Sequence, residues 1–305
     1  MNDFISIADL SPSDARRLID LARKVKKYPS RYQSAFKGEK FGLIFEKPST
    51  RTWVSFDVGI FSMGGSAIYL GPDDIKLGVR EEVRDVARVL DRYLAGVVLR
   101  TFAHDTITEF RKYFTKPVIN GLSDLEHPCQ ALADYLTMFE KFGSLDKPLF
   151  TFIGDGNNVL NSLVLLAAKL GGRIHYATPV KNAPNPAVMK QAHEIARKTK
   201  AHIQGFHDPV EASRGAHVIY TDVWVSMGEE HLRKNKIRAF KGMQVNKKLL
   251  SSADRKVKVM HCLPAHRGEE ITDEVMEGKA SVVFDQAENR LHVQKAVMLW
   301  LCRKV

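Results

Sequence analysis

The chain has 305 residues, 44% of them hydrophobic and 27% charged, which are the proportions of an ordinary folded protein rather than a disordered one. That length suits one large domain or two domains of common size. No apolar run approaches the roughly 20 residues that a membrane-spanning helix needs, and the N-terminal segment does not look like a signal peptide. We therefore expect a cytoplasmic protein with no membrane partner.

The chain is basic, with 46 Lys and Arg against 35 Asp and Glu and a net charge of +11. Such an excess suits a nucleic acid, an anionic membrane or an anionic small substrate. The basic residues are scattered and form no stripe interleaved with aromatics, so we expect no nucleic-acid partner. The three cysteines, Cys129, Cys262 and Cys302, form no CxxC pair, which argues against a zinc knot or a disulfide framework.

The first half of the chain alternates helical and strand-like patterns. Ser11 followed by Pro12 is typical of a helix start, with serine as the N-cap. Further helices are predicted over residues 51–63, 83–94 and 107–114 and after Pro128. Strands are predicted at residues 41–45, 68–70, 97–99 and 118–119.

A break at residues 143–148 precedes a second alternating series. Its strands are predicted at residues 149–153, 174–177, 203–206, 218–221, 257–261 and 282–284, and its last helix at 286–302. Repeated strand–helix alternation is typical of parallel sheets covered by helices. We therefore predict an α/β fold with two doubly wound parallel-sheet domains joined by interdomain helices. The first covers residues 1–145, completed by the C-terminal helix 286–305, and the second covers 146–285.

Polar clusters follow several predicted strands, which is where such sheets bind ligands. The first cluster is Ser49-Thr50-Arg51-Thr52, at the start of a predicted helix. Free N–H groups, hydroxyls and an Arg fork together make a phosphate cradle. The same residues equally fit an ordinary helix cap with a surface arginine.

The second cluster, His127-Pro128-Cys129-Gln130, begins another predicted helix. Pro128 at the helix start leaves His127 and Gln130 at the exposed end of the helix. Histidine can donate to a carbonyl oxygen, and glutamine can both donate and accept. A capped helix with a passive histidine is the alternative.

Two further loops carry groups suited to an amino acid. The run 154–158, Gly-Asp-Gly-Asn-Asn, is not GxGxxG, so a nicotinamide cofactor is poorly supported, and its asparagines suit a carboxylate. Asp222 can hold an ammonium group, and Ser226 with a backbone N–H can hold a carboxylate. An Asn/Gly turn and a plain loop are the respective alternatives.

The last cluster is His261-Cys262-Leu263-Pro264, after the strand predicted at 257–261. A thiol at a strand end with polar neighbours can contact a ligand, although a buried inert cysteine is the commoner case. Arg290 opens the last helix and adds a cation near the cleft.

In order and spacing these segments resemble the aspartate/ornithine carbamoyltransferase family over essentially the whole chain. The matching pieces are Ser49 to Thr52, the loop ending in Lys76-Leu77-Gly78, Arg100, His127 to Gln130, Asn158, Asp222 to Gly228, His261 to Pro264, and Arg290. The Asp-x-x-x-Ser-Met-Gly and His-Cys-Leu-Pro elements are similar to the ornithine branch. The resemblance implies transfer of the carbamoyl group of carbamoyl phosphate to the side-chain amine of ornithine, giving citrulline and phosphate in arginine metabolism.

The resemblance also implies a role for each matching residue. The phosphate would be bound by the first cluster: Ser49, Thr50, Arg51 and Thr52. The carbamoyl end and bridging atoms would be held by Arg100, His127 and Gln130, with help from Arg290. Ornithine's α-amino and carboxylate groups would be held by Asn158, Asp222, Ser226 and Met227. Cys262 and the backbone of Leu263 would lie near the attacking amine and the carbamoyl group. The catalytic set would be Arg51, Arg100, His127 and Cys262.

One position departs from the family pattern. Ornithine-type members often carry Gln or His where this chain has Lys76. In the family that loop reaches the neighbouring subunit's site, where a lysine would add a cation beside the phosphate. The resemblance implies a homotrimer or a multiple of trimers, and it implies no metal or organic cofactor because phosphate is a good leaving group.

Three other interpretations are open at this point. The acceptor could be putrescine or N-acetylornithine, although Asp222 and Ser226 suit a free α-amino acid. A dinucleotide-dependent dehydrogenase shares the fold class but needs the glycine fingerprint that is absent here. A basic RNA-binding protein with a retired site is disfavoured because the family's polar residues are present, Lys76 excepted.

Overall fold

The computed structural model describes residues 3–226 and 228–305. The chain forms two compact units, one made of Met1–Leu136 and Glu288–Val305 and the other of Thr137–Ala287. None of the helices in the described ranges combines the length and apolar character needed to cross a bilayer.

The first unit contains a four-stranded sheet and its flanking helices. Its elements in chain order are α1 (Pro12–Lys27), β1 (Lys40–Phe45), α2 (Thr50–Phe61), β2 (Ser66–Leu70), α3 (Val83–Tyr93), β3 (Gly96–Arg100), α4 (His104–Lys112) and β4 (Val118–Leu122). Short 3-10 helices lie at Ile7–Asp9 and Pro29–Tyr32. As the sequence predicts, Ser11 caps α1 by accepting a hydrogen bond from the backbone N–H of Asp14.

The second unit contains a five-stranded sheet. Helix α5 (Pro128–Phe142) begins in the first unit and ends in the second. It is followed by β5 (Leu149–Ile153), α6 (Asn158–Leu170), β6 (Arg173–Ala177), α7 (Pro186–Thr199), β7 (His202–Phe206), α8 (Pro209–Ser213), β8 (Val218–Thr221), α9 (Arg233–Ala239), α10 (Lys247–Leu250), β9 (Lys258–His261) and α11 (Asp273–Met276). Short 3-10 helices lie at Val180–Asn182 and Glu230–Leu232, and α12 (Val283–Leu301) returns the chain to the first unit.

Both sheets are parallel and doubly wound. The first has the strand order β2-β1-β3-β4 and the second β7-β6-β5-β8-β9. All five residues of β3 are buried, as are all five of β5, because helices cover both faces of a parallel sheet. The chain reverses its direction of winding between β1 and β3 in the first unit and between β5 and β8 in the second. Loops that leave these strand pairs therefore flank a crevice, the usual ligand position in such sheets.

The predicted α/β class with two doubly wound parallel sheets is confirmed. One predicted strand is wrong, because Val283 begins α12 and the segment contributes only a single bridge, between Ser281 and Val259. A three-residue apolar run has no measurable period, so it fits a buried helix start as well as a strand. The domain limit between residues 145 and 146 stays a prediction, while the two units divide inside α5 and α12.

Candidate active site

In the first unit, the loop after β1 places a helix N-terminus at the crevice. Ser49 is the N-cap of α2, and its hydroxyl accepts a hydrogen bond from the Thr52 N–H at 3.4 Å. The first turn of α2 carries no acidic residue. Its free N–H groups and the positive end of the helix dipole therefore favour an anion at this point.

Arg290 of α12 lies against the same turn. Its guanidinium donates to the Thr52 hydroxyl oxygen at 2.8 Å, and the Ser49 hydroxyl donates to that oxygen at 3.1 Å. Both Thr52 and Arg290 are buried. Since the Thr52 oxygen accepts two hydrogen bonds, its own proton is available to donate to a ligand.

Four cations surround His127, which is itself buried. Burial lowers the pKa of His127 well below its usual value, and the positive charges of Arg290, Arg100, Lys47 and Arg51 lower it further. His127 is therefore a neutral imidazole at physiological pH, able to donate one hydrogen bond without adding a charge. The field that surrounds it is strongly positive and suits an anionic ligand.

Gln130 lies one turn into α5, on the same helix that His127 precedes. Its amide nitrogen donates to Asp134 at 2.8 Å, and its carbonyl oxygen is buried without a hydrogen-bond partner among residues 3–226 and 228–305. The expectation that His127 and Gln130 lie at an exposed helix end is wrong, because both side chains are buried. The first turn of α5 is enclosed by the unit, so a ligand there meets a desolvated amide and imidazole.

Two other predicted residues of the first unit differ in their surroundings. Arg100 ends β3, is buried, and is one of the cations that act on His127. Lys76 is exposed on the loop before α3, with φ of +44°. Its neighbours Ile75 and Leu77 are buried and anchor the loop in a hydrophobic cluster. Of the predicted anion-binding residues of the first unit, Arg51, Arg100 and Arg290 thus act together on His127, whereas Lys76 is exposed on its loop.

In the second unit, the loop after β5 approaches another segment closely. Asn157 is the N-cap of α6, and its side-chain oxygen accepts hydrogen bonds from Val159 and Leu160. A Cβ atom on Gly156 would lie 2.4 Å from the backbone of Ala183. Only glycine fits at this position without moving one of the two segments, so Gly156 allows the loop after β5 to pack directly against the backbone of Ala183. Asn158, a predicted site residue, is the first residue of α6.

Asp222 is the meeting point of three loops. One carboxylate oxygen accepts from the Asn157 amide at 2.8 Å, and the other accepts from the Cys262 thiol at 2.9 Å and the Val223 N–H at 2.8 Å. The side chain is buried. The loops after β5, β8 and β9 are therefore tied together by a single carboxylate.

A second polar network holds the loop that carries Ser226. Lys236 of α9 donates to Asp155 at 2.6 Å and to Glu229 at 2.5 Å, and Glu229 accepts from the Ser226 N–H at 3.2 Å. Burial lowers the pKa of Lys236, but hydrogen bonds to the two carboxylates outweigh it and raise the pKa above its ordinary value. Met227, a predicted ornithine-binding residue, lies outside the described residues.

The chain turns sharply at Leu263, another predicted site residue. Leu263 has φ of +61°, a left-handed conformation that disfavours most side chains. Its N–H donates to Nδ1 of His261 at 2.9 Å, and Nε2 of His261 lies 3.1 Å from Glu270. Asp222, His261 and Cys262 also place one possible metal-ligand atom each within 4.8 Å of one another. Both nitrogens of His261 are already engaged within the protein.

Sequence reasoning missed several residues that the structure places in these clusters: Lys47, Asn157, Lys236 and Glu270. Lys47 follows β1 just before Ser49, so its position after a strand was a usable signal. Asn157 has the same signal, as the neighbour of the predicted Asn158. Lys236 lies in a run of basic residues that is typical of a solvated helix, so nothing in the sequence marks it as buried.

Two family models together match nearly the whole chain. Residues 2–140 match the carbamoyl-P binding domain of aspartate/ornithine carbamoyltransferase, and residues 147–301 match its Asp/Orn binding domain. The chain is 49% identical to a protein of Archaeoglobus fulgidus named ornithine carbamoyltransferase, over 100% of this chain and 98% of that one. A relative of the same name from Methanocorpusculum labreanum is also 49% identical, over 98% and 97%.

Solved structures give the same result. The ornithine carbamoyltransferase of Pyrococcus furiosus superimposes with a TM-score of 0.96 at 42% identity, over 100% of this chain and 98% of that one. That of Campylobacter jejuni, titled anabolic, superimposes with a TM-score of 0.95 at 36% identity, over 100% of both chains.

Proposed function

Since the chain belongs to the aspartate/ornithine carbamoyltransferase family, we propose that it transfers the carbamoyl group of carbamoyl phosphate to the side-chain amine of L-ornithine. The products are L-citrulline and phosphate. The observation that carries the proposal is the N-terminus of α2, where four cations surround a neutral His127. The cations suit a small dianion such as a phosphate group, and the neutral imidazole can donate a hydrogen bond to a carbonyl oxygen attached to it.

In this proposal the first unit binds carbamoyl phosphate. Its phosphate occupies the turn formed by Ser49, Thr50, Arg51 and Thr52, where backbone N–H groups, hydroxyls and a guanidinium all donate. The exposed Lys76 contributes in the assembled protein. The carbamoyl end is held by residues placed deeper in the unit: Arg100, His127, Gln130 and Arg290. The buried carbonyl oxygen of Gln130 matches the carbamoyl NH₂ group, which can donate to it.

The second unit binds ornithine in the proposal. Asn158, Asp222, Ser226 and Met227 hold the α-amino and carboxylate groups. Asp222 supplies negative charge for an ammonium group, and its three internal donors keep it from turning away. Cys262 and the Leu263 backbone lie beside the attacking amine and the carbamoyl group. We assign Cys262 an orienting role and no covalent one, because no acyl intermediate is needed when phosphate leaves.

The reaction itself needs a neutral amine. The side-chain amine of ornithine resembles lysine, with a pKa near 10 in water, and nearby cations with exclusion of water lower that value. Attack on the carbamoyl carbon places negative charge on its oxygen, and the phosphate then departs with the electrons of the broken C–O bond. Donors such as Arg51, Arg100 and His127 stabilise this charge, and one such donor is worth about 3 kcal/mol.

The test is a citrulline assay on the purified protein with carbamoyl phosphate. Ornithine, putrescine, N-acetylornithine and aspartate are offered in parallel, and an Arg51→Ala variant runs beside the wild type. We expect product from ornithine alone, and its loss in the variant. Product from another amine would overturn the roles of Asp222 and Ser226. No product from any acceptor would overturn the proposed function.

We also propose that the protein assembles as a homotrimer or a multiple of trimers. Support comes from α2, where Val54, Val58 and Phe61 are exposed at the i, i+4, i+7 spacing of one helix face. Exposed Ile68 lies on β2, which is the edge strand of its sheet. Apolar patches of this kind mark protein–protein contacts. Light scattering on the wild type and on a Phe61→Asp variant tests this, and a monomeric wild type would overturn it.

We propose the cytoplasm as the place of action and arginine metabolism as the pathway. None of the three cysteines forms a disulfide, as expected in a reducing compartment. A thiol titration of the denatured protein, isolated under alkylating conditions, should find three reduced cysteines.

A further inference from the structure

The loop that follows β9 is held by a buried carboxylate that no proposed substrate contact uses. Glu270 has an exposed fraction of 0% and His261 of 1%. One oxygen of Glu270 accepts from the backbone N–H of His266 at 2.5 Å and lies 3.1 Å from Nε2 of His261. Burying a carboxylate this completely costs folding free energy unless hydrogen-bond donors satisfy it. We therefore ask which groups Glu270 holds in position.

The hydrogen bonds of His261 determine its tautomer. The Leu263 N–H is always a donor, so Nδ1 of His261, at 2.9 Å, must accept and carries no proton. The proton is therefore on Nε2, where it is donated to Glu270. His261 is a neutral imidazole between a carboxylate and a backbone amide, and it is not half of an ion pair.

This chain of contacts ends on residues of the proposed site. His261 and Leu263 flank Cys262, whose thiol donates to Asp222 at 2.9 Å. The backbone N–H of His261 donates to the side-chain oxygen of Gln286 at 2.9 Å. Leu263 itself has the unfavourable φ of +61°, a conformation that persists only where its surroundings over-determine it. The backbone N–H of Leu263 donates its hydrogen bond to Nδ1 of His261, so the imidazole helps to hold Leu263 in this conformation.

We infer that Glu270 is a positioning residue, which acts through His261 to set the backbone of Leu263 and the direction of the Cys262 thiol at the amine-binding half of the site. This inference rests on the function proposed above. What positions the loop is the hydrogen-bond acceptor at Glu270 and not its negative charge, because the imidazole that it holds is neutral.

The neighbouring carboxylate gives a matched control. Glu269 pairs with Arg233 and makes no hydrogen bond to His261. A glutamine at 270 can keep its oxygen on both donors. Its NH₂ group would then lie near His266 and Glu269, each of which places a polar atom within 4.8 Å of Glu270. Among the described residues, Nδ1 of His266 and Oε2 of Glu269 are buried without a hydrogen-bond partner. Glu270→Gln should therefore rescue what Glu270→Ala loses.

The experiment compares Glu270→Ala, Glu270→Gln and Glu269→Ala in citrulline formation, with both substrates varied. For Glu270→Ala we expect the KM for ornithine to rise about tenfold and the KM for carbamoyl phosphate to change far less, since its phosphate is bound by the other unit and only its carbamoyl group lies beside Leu263. Glu270→Gln and Glu269→Ala should stay within threefold of wild type. A general loss of folded enzyme would lower kcat and leave both KM values unchanged, and that result would overturn the inference.

A second readout does not depend on catalysis. The alkylation rate of Cys262, followed peptide by peptide with iodoacetamide, should change severalfold in Glu270→Ala and not in Glu269→Ala. Buried Cys129, whose pKa burial raises to about 12, serves as an internal reference. An unchanged Cys262 rate with an unchanged ornithine KM would overturn the inference. A wild type that makes no citrulline yet shows the alkylation difference would overturn the proposed function alone.

Discussion

The two units present the same kind of crevice with opposite electrostatics. In the first unit, burial lowers the pKa of His127, and the positive charges of Lys47, Arg51, Arg100 and Arg290 lower it further. In the second, Lys236 lies between Asp155 and the partly exposed Glu229; burial lowers the pKa of Lys236, but the two carboxylates outweigh it and raise the pKa. The first crevice has an unbalanced field that an anionic substrate completes. The second has more carboxylates than cations among these residues, and its hydrogen bonds hold the loops in shape.

This difference predicts that substitutions in the two units will separate activity from stability. Arg51→Ala removes one donor from a cluster of like charges. We expect citrulline formation to fall about 10²–10³-fold, equivalent to about 3–4 kcal/mol of transition-state stabilisation, with the urea midpoint of unfolding unchanged. Arg17→Ala, on the exposed face of α1, is the control and should change neither quantity. A large loss of stability in Arg51→Ala would break the comparison.

Lys236→Met should have the reverse profile. It leaves Asp155 and Glu229 without their shared cation, and breaking a buried pair costs about 3–5 kcal/mol. Because Glu229 is 38% exposed, we expect a smaller loss, about 2 kcal/mol in the free energy of unfolding from urea titration. The KM for ornithine should rise because the loop carrying Ser226 loses its anchor.

The pH dependence of this loss has a definite sign. A raised lysine pKa stabilises the folded state fully below the ordinary value of 10.5 and ceases to do so as the pH rises through the folded value. The difference between wild type and Lys236→Met should therefore be constant from pH 7 to 9. A difference that shrinks within that range would contradict the ion-pair explanation.

Gly156→Ala tests the second unit by geometry instead of charge. The added Cβ would lie 2.4 Å from the backbone of Ala183, so one of the two segments must move. Overpacking of this kind costs about 1–3 kcal/mol. We expect a lowered urea midpoint and a raised KM for ornithine, with the KM for carbamoyl phosphate unchanged. Gly59→Ala is the matched substitution in the first unit and should be nearly neutral, because its new Cβ would meet the flexible Lys295 side chain at 3.2 Å and Leu291 at an ordinary 3.5 Å.

The sequence was informative where function depends on position along a strand. Ser49 to Thr52, Asp222 and Cys262 follow strands, and Arg100 is the last residue of β3, so each lies at or just beyond the carboxyl end of a strand. The sequence was uninformative where a residue's role depends on a partner far away along the chain. Lys236 meets Asp155 across 81 positions, and no local pattern encodes that pair. The strand predicted at Val282 to Phe284 was wrong because so short an apolar run shows no periodicity.

The smallest predicted effect concerns His127, and it tests the field of the first unit most directly. With its pKa held well below 6.5, His127 should show no change in its ring chemical shifts between pH 6 and 8 by NMR. In the unfolded chain His127 takes up a proton near pH 6.5, so its contribution to stability is constant above that pH and decreases as the pH falls below it.

Saturation with phosphate sharpens the same measurement. An anion at the N-terminus of α2 offsets the positive charges of Arg51, Arg100 and Arg290, so the pKa of His127 should rise towards its ordinary value. In Arg51→Ala, with one cation fewer, the pKa should start higher and rise less. A titration near pH 6.5 in the free wild type would mean that these cations do not act on His127, and the contrast between the two units would lose its basis.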